Sequence, residues 1–269
     1  MSLTGRWNGK LTSRPLPEND PTIAALTSAE RERLAETWLL RAAMERRVGD
    51  SFAVVRDALR RRGAANELVD LAERAIDDES RHEELSRVVA SRFAGKELEL
   101  PKRLPLEVPA HKGASPELRD TLHIIGQCVF NETTASAYLE CSLDHATDGT
   151  LAKSALRELL SDEIDHGRIG WAHLAACDDH TRAAVAPWLH AMAFTNLKEW
   201  RRETPYDAAH TEAMTKQGVP PASTVHEALV DALRSLIIPG FEQLGLEVQA
   251  LKKWVDEGAP TDKIPGTDS

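Results

Sequence analysis

The chain has 269 residues, with 43 acidic side chains against 33 basic ones and a net charge of −10 at neutral pH. That balance argues against a nucleic-acid partner, whose phosphates call for a basic surface. No apolar run approaches membrane-spanning length and no signal-peptide core opens the chain, so a cytoplasmic protein with no membrane partner is expected.

Ala, Leu, Glu and Arg dominate and runs of β-branched residues are scarce, which predicts an all-α protein. Residues 1–26, with Pro15, Pro17 and Pro21, read as an extended arm. Thr27-Ser28-Ala29-Glu30 is a capping box that opens a helix. Trp38, Ala42, Glu45, Val48, Phe52 and Leu59 share one face of it, and Gly63 stops it. Glu45 sits within this apolar stripe, whereas Glu36 falls on the opposite face and is left to solvent. A second helix spans about Ala64 to Phe93, ends at Gly95, and carries Glu79 and His82 on its inner side.

Glu97 to Gly113, with Pro101, Pro105 and Pro109, predicts a long crossover. Ser115-Pro116-Glu117 supplies an N-cap, a proline at N1 and an early acid, and so starts the third helix. Leu118, Leu122, Ile125, Val129, Glu132, Ala135 and Leu139 point inward along it, and it ends near Asp148-Gly149. A fourth helix, about Leu151 to Ala176, presents Leu156, Leu159, Glu163, His166, Gly170 and Leu174. Four helices over residues 27–177 thus form the predicted bundle, as hairpin, crossover, hairpin. Further helices are expected around 181–204, 222–238 and 241–257, the last two separated by Pro239-Gly240. Trp188, Phe194, Trp200, Phe241 and Trp254 should dock this 178–257 extension on the bundle. Residues 258–269 read as a disordered tail.

The motif that carries chemistry is a repeated one, Glu79-Ser80-Arg81-His82 and Glu163-Ile164-Asp165-His166. A Glu and a His three positions apart share a helical face, so both can point at one ion. No other Glu-x-x-His occurs in the chain. Glu45 stands one helical hairpin before the first pair, and Glu132 one hairpin before the second. Four carboxylates and two imidazoles at one depth of a helix bundle are the ligand set of a two-metal site. Carboxylates are hard, anionic and able to bridge, and an imidazole on each ion leaves coordination positions open. Four acids on apolar faces also need cations to compensate them. Asp78 and Asp162, one residue before each Glu, either orient the ligand histidines and link helices or are edge charges.

On these motifs the chain resembles the ferritin-like di-iron carboxylate superfamily over about residues 27–177. The resemblance implies a ferritin-like four-helix bundle with one long crossover and additional C-terminal helices. Glu79 and Glu163 would bridge the metals, Glu45 and His82 would complete one ion, and Glu132 and His166 the other. It implies two iron ions, or manganese, which the same ligands suit. The expected activity is dioxygen-dependent oxidation of a small organic substrate, with an external electron donor because no reductase signature is present. The alternative is a ferroxidase or peroxide-scavenging protein. No Cys-x-x-Cys pair supports a fused rubrerythrin, and Leu159 stands where arylamine N-oxygenases carry an added His. A homodimer is compatible with the resemblance.

Several neighbours carry weaker expectations. Glu83 reads first as a helix-edge charge, and His173 as a satisfied core histidine. Cys128 and Ser136, at −4 and +4 from Glu132, either line a cavity beside the metals or pack in the core. Tyr138 turns off the ligand face. Gly167 and Gly170 leave space for substrate or allow close helix packing. Cys128, Cys141 and Cys177 lack a paired spacing and read as reduced thiols.

Overall fold

A computed structural model of the chain describes residues 11–100, 102–103, 105–203 and 210–261, and among them there are helices and no strands. A short helix α1 (Pro21–Ala24) precedes two long ones, α2 (Ser28–Arg61) and α3 (Asn66–Ala94). The capping box at Thr27 forms as the sequence predicts: Glu30 N–H donates to Thr27 Oγ1 at 3.2 Å, and Thr27 N–H donates to the Glu30 carboxylate at 2.8 Å. Gly95 takes the left-handed conformation, φ 67°, that closes α3.

After the crossover, Ser115 caps α4 (Pro116–Ile124). The expected continuous third helix is broken here. Residues Ile125–Asn131 adopt a π-helical turn, and α5 (Glu132–His145) follows it. A π turn holds one extra residue per turn, so side chains beyond it are rotated relative to an unbroken α-helix. Helix α6 (Leu151–Ala176) completes the set. Helix α2 packs on α3, α3 on α6, and α6 on both α5 and the π turn.

Apolar packing fixes where the polar layer lies. Leu34, Trp38, Leu85, Val89, Leu156 and Leu159 form one cluster. Phe52, Val55, Ala72, Ala75, Ile124, Cys128 and Ile169 form another. Both are closed to water, and each large side chain so buried contributes roughly 1.5–3 kcal/mol. Along α2, α3 and α6 the residues between these two clusters are Glu45, Glu79 with His82, and Glu163 with His166. The predicted ligands therefore occupy one layer between two apolar ones.

The extension consists of α7 (Asp179–Val185), a short 3-10 turn (Ala186–Trp188) at Pro187, α8 (Leu189–Glu203), α9 (Glu212–Lys216), α10 (Ala222–Ala232), α11 (Ile238–Gln243) and α12 (Gln249–Asp256). It docks as expected, with Phe194, Trp200, Phe241 and Trp254 sharing a core with Leu122, Ile125, Val129 and Phe130. Pro239-Gly240 is not a helix break. A second π turn (Leu233–Ile237) leads directly into α11, where Pro239 sits in the first turn and needs no backbone donor. Gly240 lies under the Trp171 ring, which a Cβ would meet at 2.5 Å. The break comes later, between Gln243 and Gln249.

Two terminal expectations are corrected where residues are described. The arm contains α1, and Ser13 N–H and Oγ donate to the Glu158 carboxylate at 2.7 and 2.8 Å. Asp20 accepts from Leu151 N–H at 2.8 Å, so the arm helps cap α6. Of the tail, Ala259 is buried, and the Pro260 carbonyl accepts from Trp254 Nε1 at 3.0 Å. These contacts order residues 258–261. The predicted disorder of 262–269, and residues 1–10 of the arm, lie outside the described residues. No helix among the described residues is long and apolar enough to cross a membrane.

Candidate metal centre

Six side chains converge as the sequence predicts. Glu45, Glu79, His82 and Glu163 form one group and Glu79, Glu132, Glu163 and His166 a second, with the potential ligand atoms of each within 4.8 Å of one another. Glu79 and Glu163 belong to both. Each of these two carboxylates turns one oxygen toward each imidazole. Glu79 Oε2 lies 3.6 Å from His82 Nδ1, and its Oε1 lies 3.2 Å from His166 Nδ1. Glu163 Oε1 lies 3.5 Å from His82 Nδ1, and its Oε2 lies 3.2 Å from His166 Nδ1. Glu132 Oε2 stands 3.8 Å from His166 Nδ1. All but Glu45 are buried, and Glu45 and Glu163 line a cavity.

Asp78 and Asp162 each lie against a histidine of the other helix. Asp162 on α6 meets Nε2 of His82 on α3 at 3.0 Å, and Asp78 on α3 approaches Nε2 of His166 on α6 at 3.4 Å. Each imidazole thus has its Nε2 against an aspartate and its Nδ1 toward the carboxylates. Arg81 pairs with Asp162, and Arg74 lies 3.7 Å from Asp78.

The centre is internally undersatisfied. His166 Nδ1 bonds Glu163 Oε2, but both oxygens of Glu79 and Nδ1 of His82 are buried with no hydrogen-bond partner. Natural interiors leave few such groups. Electrostatics agree. Burial and the neighbouring Glu79 push Glu45 up to about 8. Burial, with Glu79 and Glu132 beside it, drives Glu163 well above the carboxylate range. Burial would raise Glu79 too, but His166 and His82 outweigh it and hold that carboxyl at about 2. For His82, burial is overcome by Asp162 and Glu79, which lift it to about 10; His166 is likewise held well above its ordinary value against burial. Without a cation the cluster must hold protons to limit its negative charge. Hard, unpartnered oxygens with imidazoles behind them fit divalent cations.

Neighbouring residues sort plainly. Glu36 is exposed, and Glu83 lies outside both groups, paired with Arg46. His173 is a buried core histidine, its Nε2 3.3 Å from Thr121 Oγ1. Cys128 packs among apolar residues, and neither it nor Ser136 lines the cavity. Gly170 serves close packing, since a Cβ there would stand 2.8 Å from Val129 Cγ2. A Cβ at Gly167 would meet the Cys128 carbonyl oxygen at 3.6 Å and leave room. Among the described residues the three cysteines are free thiols. One partner of Glu132 escaped the sequence. Gln127 donates to Glu132 Oε1, and Asn131 does so at 3.4 Å. Gln127 lies five residues before Glu132, which the π turn makes the stacked position.

Comparison with family models, with curated proteins and with solved structures gives no match for this chain.

Proposed function

We propose that the chain is a non-haem di-iron oxidase or oxygenase of ferritin-like, four-helix architecture that uses dioxygen to oxidise a small organic substrate. The observation that carries the proposal is the sharing of Glu79 and Glu163 between the two ligand groups, each directing one oxygen to each side. Glu45 with His82 would complete one ion, and Glu132 with His166 the other. When bound, two iron ions would supply dioxygen reduction. The protein's part is to fix the ligands, keep bulk water out with the flanking apolar clusters, and aim both imidazoles through Asp162 and Asp78. Gln127 and Asn131 hold one oxygen of Glu132 and so leave the other for metal. Insertion of one oxygen atom into a C–H bond also consumes two electrons and two protons, so a separate reductant is required. An apolar-walled cavity that reaches Glu45 and Glu163 favours an organic substrate over a hydrated ion as cargo.

Elemental analysis of protein purified without chelator, followed by anaerobic Fe(II) loading and exposure to air, tests this directly. About two metals per chain and a transient oxygen-dependent absorption are the expected result. Glu79→Ala and Glu163→Ala each remove a ligand common to both groups and should abolish binding at both. If either variant kept full metal content, the assignment would fail.

A further inference from the structure

One cavity opens onto the centre, with a volume of about 70 Å³ and Glu45 and Glu163 in its wall. One water needs roughly 10–15 Å³ on this measure, so there is room for a small organic molecule. Met44, Val48, Ala135, Leu139 and Trp200 make most of the wall apolar. Of the polar residues in the wall, Arg47 and Asn131 among them, Arg41 is the one that points to a ligand. The residue is only 7% exposed, and it lines the cavity one helical turn before Glu45.

The guanidinium is held in place by two residues. It lies 4.3 Å from the centre of the Trp38 ring and 5.2 Å from that of Tyr138, and Nη2 donates to the Tyr138 hydroxyl at 2.9 Å. Stacking fixes the plane of the group but satisfies none of its N–H bonds. Nη1 is buried and has no partner. Leaving a buried charged donor unpaired is costly, so a built and rigid arginine with a free nitrogen signals an acceptor supplied from outside. Tyr138 adds a second donor. Because its oxygen accepts from Arg41, its own O–H is left to donate.

We propose that Arg41 Nη1 and the Tyr138 hydroxyl form a carboxylate-binding subsite, so that the substrate is a small monocarboxylic acid with an apolar body. The inference deepens the oxidase assignment, and its claim about a substrate rests on it. Two donors on one cavity wall would serve the two oxygens of a planar carboxylate. Two donors would leave the third oxygen of a phosphate ester without a partner. An acid anchored at Arg41 would lay its apolar carbons along Met44 and Ala135, toward Glu45. The bonds presented to the centre would be those a few atoms from the carboxylate.

The test is titration calorimetry of the full chain with butyrate, hexanoate and benzoate, each against its neutral amide. Metal content is measured on the same samples. Wild-type protein should bind at least one acid about tenfold or more tightly than its amide. Arg41→Gln should remove that preference, and Tyr138→Phe should weaken it severalfold while keeping the ring stack. If Arg41→Gln does not fold, as judged by circular dichroism, Tyr138→Phe alone decides. Acids that bind no better than amides overturn the subsite. So does a preference that survives Arg41→Gln, or, where that variant does not fold, one that Tyr138→Phe leaves intact; the acid would then sit on the metals or elsewhere. Acid binding through Arg41 in a chain that holds no metal keeps the subsite and ends the oxidase assignment. A chain with two metals and no liking for acids does the reverse.

Discussion

Helix α6 carries two buried histidines two turns apart, His166 and His173, and their surroundings drive them in opposite directions. His166 faces Glu79, Glu132 and Glu163 and is held protonated when no cation is present. His173 faces Thr121 Oγ1 and the Cys177 sulfur, with the charges of Arg62 and Asp120 acting on it. Burial pushes it down, helped by Arg62, from 6.5 to about 4. The folded value lies below the unfolded one, so the stability that a neutral His173 permits is fully present above pH 6.5. It is lost as the pH falls through 4, because the unfolded chain takes up the proton first. At about 1.4 kcal/mol per pH unit the loss approaches ~3 kcal/mol. Urea unfolding at a series of pH values should show this decline, and His173→Gln should flatten it. An unchanged slope in that variant would mean that other groups, such as the buried His123, dominate acid sensitivity.

At the scale of elements, local signals were legible and register was not. The Thr27 capping box, the Ser115-Pro116 start, the Gly95 stop and the pairing of Glu45 and Glu132 with the two Glu-x-x-His motifs all depend on near neighbours or simple helical spacing. The π turn at Ile125–Asn131 adds one residue to a turn and leaves no compositional mark. Counting by fours therefore offered Cys128 as the neighbour of Glu132, while the structure supplies Gln127. The stop expected at Pro239-Gly240 misled for a related reason, since a π turn just before a proline lets the helix continue. Gly170 ties the π turn to α6. An added Cβ would stand 2.8 Å from Val129 Cγ2 and 2.9 Å from Cys128 Cβ, closer than such atoms approach. Gly170→Ala should force α6 away from the turn that positions Glu132, costing about 1–3 kcal/mol by overpacking. It should also lower metal content. Gly167→Ala meets nothing closer than 3.6 Å and should be neutral or slightly stabilising, since alanine favours helix. Thermal melts with metal analysis of both variants check the contrast, and equal stability would refute the packing argument.

Across the whole molecule the extension completes what the first helices begin. Trp200 reaches from α8 into the cavity wall and donates through Nε1 to Thr134 at 2.8 Å, a contact that no sequence spacing could reveal. The centre inside is under charge stress that only protons or cations can relieve. A metal held there would act as a folding ligand: it would bind an arrangement that the unfolded chain lacks, and it would stabilise by RT ln(1 + [metal]/Kd), about 2.7 kcal/mol at a hundredfold excess over Kd. For a chain of this size each kcal/mol moves Tm by about 2–4 °C, so loading should raise it by several degrees. Protons compete for the same atoms. Glu45 at about 8 and His82 at about 10 must both deprotonate to bind a cation, so affinity should climb as the pH rises from 6 toward 8. Melting curves of chelator-treated protein with and without Fe(II) or Mn(II), under argon at pH 6, 7 and 8, measure the effect. A Tm gain that grows with pH is the signature of cations displacing protons from buried carboxylates. A gain that is absent, or that shrinks with pH, would mean that the six side chains are not the metal's ligands.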